Sequence, residues 1–165
     1  MHFKNADMER FIQPFTKMCE RVFHVVCKTE VTAGRVFFVS KDEYENSWDI
    51  SGIIGLSGQI AGVAAISLKD ETAFRVTKIM TGRDHNYIDV LVSDTVGEII
   101  NIIVGNIKRD FEKELRIKIS LPTIVKGKAH AIAWPSEKTR ILCIPFTIFS
   151  DQKICLSVAV EQQDE

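Results

Sequence analysis

From residue 94 to residue 112 the chain reads DTVGEIINIIVGNIKRDFE, with Asp94, Glu98, Asn101, Gly105, Lys108 and Glu112 at steps of 4, 3, 4, 3 and 4. On a helix these positions stay within about an 80° arc, and most residues between them are Ile, Val or Phe. The pattern predicts a long helix over residues 87–115, about 29 residues and near 43 Å, that buries most of its circumference and keeps one polar strip. Phe11, Phe15, Met18, Val22 and Val26 repeat at helical steps and predict a first amphipathic helix. It starts either at Asp7, with Pro14 inside and bending it, or near Gln13. A short helix is predicted over residues 71–80, with Asp70 as its cap and Thr81-Gly82 as its stop.

Strand-like runs occupy residues 35–40, 50–56 and 62–68, the last two joined by a hairpin at 57–61 where glycine suits a turn. Further strands are predicted over 117–125, 129–134, 141–149 and 153–160, and a loop over 41–47. The helical stretches stand apart from antiparallel-looking strand runs and do not alternate regularly with them. The expected class is therefore α+β, a sandwich of a mostly antiparallel sheet packed against long helices.

Composition narrows the picture further. At 165 residues and 45% hydrophobic, without a Pro- or Ser-rich linker, residues 1–165 are read as a single domain with a substantial core. The net charge of -1 and the dispersed lysines and arginines argue against a nucleic-acid partner. MHFKNADMERF lacks the apolar run of a signal peptide, and the greasiest stretch, 99–107, is too short for a bilayer. The expectation is cytoplasmic residence without membrane insertion. Cys19, Cys27, Cys143 and Cys155 form no CxxC or compact cluster and read as reduced core thiols.

Glu98 and Asn101 emerge one helical turn apart. A carboxylate can hold a cation, and an amide can both donate to and accept from a water or phosphoryl oxygen. The pair suits chemistry in which a partner brings the reactive group and this chain orients water or balances charge. The spacing itself is common: Glu43 and Asn46 repeat it in a predicted loop. Placement on the strip is what distinguishes Glu98 and Asn101, and the residues alone leave open whether the strip is functional or only solvated. Asp94, Gly105 and Lys108, on the same strip, are the positions read as partner-binding. His2, His24, His85 and His130 show no metal-ligand spacing. SGIIGLSG, with Gly52, Gly55 and Gly58, has no following Gly-Lys-Ser/Thr and reads as strand and hairpin. Trp48 and Trp134 read as core or sheet-edge aromatics.

The run from Ser93 through Glu98 and Asn101 to Gly105-Asn106 resembles the signature helix of CheX-type proteins in the CheC/CheX/FliY family of chemotaxis phosphatases. The agreement includes Ser93-Asp94 and Gly97. Around it, Pro14-Phe15, the Gly58–Gly62 hairpin, the short helix ending at Gly82 and Ile144-Pro145-Phe146 follow a similar order, so the resemblance spans roughly residues 9–161. It implies a CheC-like α/β sandwich and hydrolysis of the aspartyl phosphate on a CheY-like response regulator. Asn101 would orient the attacking water, and Glu98 would pair with the regulator's active-site lysine. The regulator would supply the phosphoaspartate and Mg²⁺, leaving no cofactor or metal held by this chain. The first helix carries no second Glu-x-x-Asn pair, which resembles the single-site CheX type rather than the duplicated CheC type. CheX-type proteins are also similar to one another in forming homodimers through their sheets. Two rival expectations are a non-catalytic module that binds a response regulator and a dimeric signalling adaptor whose strip is only solvated.

Overall fold

The computed structural model describes residues 5–39, 47–132, 139 and 141–162. Three helices, α1 (Asn5–Val25), α2 (Asp70–Thr81) and α3 (Val90–Phe111), cover one face of an eight-stranded sheet. The strands are β1 (Val31–Ala33), β2 (Phe37–Val39), β3 (Trp48–Gly58), β4 (Ile60–Leu68), β5 (Ile117–Ile119), β6 (Thr123–His130), β7 (Ile141–Ile148) and β8 (Gln152–Gln162). Their order is β1-β7-β8-β4-β3-β5, with β2 also on β7 and β6 also on β3, and every pairing is antiparallel. The expected α+β class is the observed one.

The main core lies between helices and sheet. Ile50 and Ile54 of β3, Ile66 and Leu68 of β4, and Leu156 and Val158 of β8 alternate inward, and Ile99, Ile100 and Ile103 of α3 lie among them, all fully buried. Gly52 sets how closely α3 approaches: a Cβ there would stand 3.0 Å from Ile100 Cγ2 and 3.2 Å from Val96 Cγ1. The opposite face carries a smaller cluster of Val39, Ala65, Ile141, Cys143, Cys155 and Ala159.

Several expected boundaries move, each for a local reason. α1 starts at Asn5 and runs through Pro14. The proline removes one helical hydrogen bond, which costs about 3 kcal/mol, and burial of Phe11 and Phe15 on the inner face offsets it. α2 begins at Asp70 rather than being capped by it. The acceptor for the Asp70 N–H is Asp49 Oδ2 at 3.1 Å, reaching over from β3, while Asp70 pairs with Lys128 Nζ at 2.5 Å. Gly82 ends α2 as expected, in the left-handed region with φ 75°, its N–H on the Lys78 carbonyl.

The expected strand over 117–125 is interrupted. Ser120, Leu121 and Pro122 separate β5 from β6, because Pro122 has no N–H to continue the ladder. β6 then runs on to His130, where a strand over 129–134 was expected to begin; residues 133–138, with Trp134, lie outside the described residues, as do Ser40 and residues 41–46 of the predicted loop. In place of the expected strand over 35–40 stand two three-residue strands, β1 and β2, laid end to end along β7. Pro145 sits where β7 passes the gap between them, and its carbonyl takes the Gly34 N–H at 2.7 Å. The hairpin at 57–61 is tighter than expected, with only Gln59 between β3 and β4, and Gly58 carries the positive φ of 109° that the turn needs.

Candidate active site

α3 spans 22 residues, about 33 Å, and is shorter than the 29 expected. Tyr87 and Ile88 continue the apolar pattern but fall outside it, because Asp89 takes the N-cap position with its Oδ1 on the Val92 N–H at 2.9 Å. His85 Nδ1 donates to the other carboxylate oxygen of Asp89 at 2.9 Å. These two hydrogen bonds hold the Asp89 carboxyl below the usual carboxylate range, the helix N–H contributing most. At the other end the chain turns at Glu112, and Leu115 N–H returns to the Phe111 carbonyl, which lets Ile117 drop into the sheet.

The polar strip survives folding as an uncovered face. Asp94, Glu98 and Glu112 are exposed, and Asn101, Gly105 and Lys108 are half-buried at its margins. Among the described residues the side chains of Asp94, Glu98 and Asn101 meet no hydrogen-bond or ion-pair partner, so the carboxylate and the amide are free to engage something else. Gly105 opens a gap in the same face, since a Cβ there would meet nothing within 4 Å. Lys108 borders a small apolar hollow with Phe11, Phe15 and Phe111, along which its alkyl stem lies. The rest of α3 is anchored: Val92, Val96, Ile99, Ile100, Ile103, Val104 and Ile107 are buried. By length and composition α3 is long and apolar enough to cross a membrane, although the stretch 99–107 alone is not; half of its most apolar window is buried against the fold.

One neighbour of the strip lies in a segment read from sequence as plain strand. Gly97, one turn before Asn101 on α3, is covered by Pro122 and Ile124, so the Ser120–Leu121–Pro122 turn meets the helix one turn from Asn101. Pro122 inside an otherwise strand-like run was the available signal. Val90, 74% exposed, lies one turn before Asp94 and extends the strip with an apolar residue.

The remaining candidates resolve into structure. His24 pairs with Glu30, His85 with Asp89 and His130 with Ser51, and no group of three or more potential metal ligands occurs among the described residues. The SGIIGLSG glycines lie on β3 and its turn. Trp48 packs against the smaller cluster at the start of β3. The four cysteines are free and buried. A concavity of about 750 Å³, lined by Ser47, Trp48, Lys69, Glu71, Thr72, Asp151, Gln152 and Lys153, contains no residue of α3. Glu98 is exposed and Asn101 half-buried on the outer side of α3, and neither lines this concavity.

A family model described as chemotaxis phosphatase CheX matches residues 50–147, more than half of the chain and all of α3. The chain belongs to the CheX family. A CheX relative from Thermotoga maritima, described as a CheY-P phosphatase, is 29% identical over 134 residues, covering 80% of this chain and 83% of that protein. The crystal structure of the chemotaxis protein CheX from Vibrio vulnificus is 27% identical, with a TM-score of 0.82 over 92% of this chain and 99% of that one. A complex described as CheX-CheY-BeF3-Mg2+ from Borrelia burgdorferi shares the CheX fold at 22% identity and a TM-score of 0.78, covering 92% and 97% of the two chains.

Proposed function

We propose that this protein is a phosphatase for the aspartyl phosphate of a CheY-like response regulator, with Asn101 orienting the hydrolytic water and Glu98 pairing with the regulator's active-site lysine. The observation that carries the reading is the free carboxylate and free amide, one turn apart, on the single uncovered strip of a helix otherwise fixed in the core. Family membership and the Thermotoga maritima relative support the activity, and the Borrelia burgdorferi complex supports the kind of partner.

The division of labour follows from the side chains. Phosphoryl transfer depends mainly on positioning and charge, so a catalyst without a nucleophile of its own can act by fixing water in line. The Asn101 amide can accept from that water and donate to a phosphoryl oxygen. The Glu98 carboxylate, beside a lysine in a partly desolvated interface, gains the strength of a charge-assisted hydrogen bond. Mg²⁺ belongs to the regulator in this scheme. Asp94, Gly105 and Lys108 contribute contact surface along the strip. A homodimer through the sheet and a cytoplasmic setting complete the reading; four buried free thiols suit a reducing compartment.

Mixing the protein with a freshly phosphorylated receiver and following acyl-phosphate loss tests the activity. Accelerated decay with catalytic amounts of protein is the expected result. Tight phosphorylation-dependent binding with an unchanged phosphate lifetime would instead establish a non-catalytic binding module.

A further inference from the structure

The turn formed by Ser120, Leu121 and Pro122 is built more firmly than a connection requires. Ser120 N–H donates to the Gly55 carbonyl at 2.9 Å, and Ser120 Oγ accepts the Gly55 N–H at 2.9 Å while donating to the Leu121 carbonyl at 2.8 Å. Pro122 rests on α3 beside Gly97, where a Cβ would lie 3.7 Å from Pro122 Cβ, an ordinary van der Waals distance. Held between these two anchors, Leu121 is 86% exposed, the most exposed large apolar side chain among the described residues.

A single exposed leucine is ordinary on a protein surface. Here its turn meets α3 one helical turn from Asn101, and its backbone is fixed before any partner arrives, which lowers the ordering cost of contact. The chain around it is also cationic. Residues 115–132 carry Arg116, Lys118, Lys126, Lys128 and His130 and no acid. Lys128 is occupied by Asp70, whereas Lys126 stands exposed two residues beyond Ile124, on the helix side of β6. An apolar anchor on a cationic, acid-free stretch of chain complements a surface where an apolar patch adjoins carboxylates and a phosphoryl group.

Resting on the phosphatase reading, we propose that Leu121 is a docking residue for the phosphorylated receiver domain, seated against an apolar patch at the rim of the receiver's anionic phosphorylation site. It sets the affinity and register with which Asn101 enters that site and takes no part in the chemistry.

The test pairs binding with turnover, using the full chain and a CheY-like receiver loaded with beryllium fluoride and Mg²⁺ as the binding probe. Leu121→Asp should weaken binding about tenfold and raise KM by a similar factor, with kcat held within about twofold; Leu121→Met should stay near wild type. An unchanged melting temperature for both variants is expected from the exposure of the site. Unchanged receiver affinity in Leu121→Asp overturns the proposal, as does a fall in kcat at unchanged affinity. So does a loss of self-association at unchanged receiver affinity, which would assign Leu121 to a second copy of this chain. A wild-type protein that binds the receiver without shortening its phosphate lifetime refutes the phosphatase reading alone, because the Leu121 comparison is still read by binding. If wild type binds no receiver, both fail.

Discussion

An amide and a carboxylate one turn apart can do different things to a phosphoryl group, and the strip separates those contributions by residue. In the proposed scheme Glu98 acts through charge, so Glu98→Gln, which keeps shape and exposure, should raise KM about tenfold and flatten its salt dependence. A titration of initial rate against receiver concentration at low and high salt reads this directly; an unchanged KM at both would remove the lysine pairing. Gly105 offers a sharper contrast. Its Cβ position is empty, so Gly105→Ala should stabilise α3 by about 1 kcal/mol and raise the melting temperature by about 2–4 °C. If the gap admits a partner's surface, the same change should raise KM. A variant both more stable and as well docked as wild type would show that the gap is unused.

At the scale of the elements, the site depends on how α3 is seated and started. Gly52→Val would force a branched side chain into space already held by Val96 and Ile100, and overpacking of this kind costs about 1–3 kcal/mol. Denaturant melts measure it, and a loss near zero would mean α3 has more freedom over β3 than its packing implies. Asp89 predicts a pH dependence. Its folded-state pKa is depressed, so its cap contributes fully above the ordinary carboxylate value of 3.8 and fades as pH falls through the lower folded value. The difference in melting temperature between wild type and Asp89→Ala should therefore be constant near neutrality and shrink in acid. A difference that grew on acidification would contradict the sign.

These same elements show what the sequence could reveal. The strip was readable because helical periodicity is local and α3 buries most of the apolar residues it carries. Its first turn was misplaced because Tyr87 and Ile88 prolong the apolar rhythm, while the Asp89 side chain, not hydrophobicity, decides where the helix starts. The cap of α2 was unreadable from its own neighbourhood, since Asp49 comes from β3, 21 residues away. β1 and β2 are three residues each and exist through β7, more than a hundred residues distant in the chain. The turn at Ser120–Leu121–Pro122 was hidden by strand-like residues on both sides, although the proline marked it.

For the molecule as a whole, the helix layer and the sheet form one support that leaves the polar strip of α3 open. Glu98 and Asn101 were legible as candidates because they stand on the open strip of a helix whose opposite face is packed. Leu121 was not, because the meeting of its turn with α3 one helical turn from Asn101 depends on pairing between β3 and β5 and on the contact between Pro122 and Gly97. The thiols are buried on both faces of the sheet, Cys19 and Cys27 in the main core and Cys143 and Cys155 in the smaller cluster. Burial pushes Cys27 up to about 12 and raises Cys19 well above its ordinary value, and Cys155 is raised by its hydrogen bond with Cys143 and by burial. All four should resist a thiol-specific reagent at pH 8 in the native protein and react on unfolding. Rapid native labelling would show that this interior opens.

The central claim, that an amide on the strip supplies the catalysis, is tested most directly by single-turnover decay of a phosphorylated CheY-like receiver at saturating wild type and at saturating Asn101→Ala. Removing a group that positions water and stabilises the transition state should slow decay about 100-fold or more, while receiver binding and melting temperature stay close to wild type. Equal decay rates for the two proteins at saturation would contradict the account.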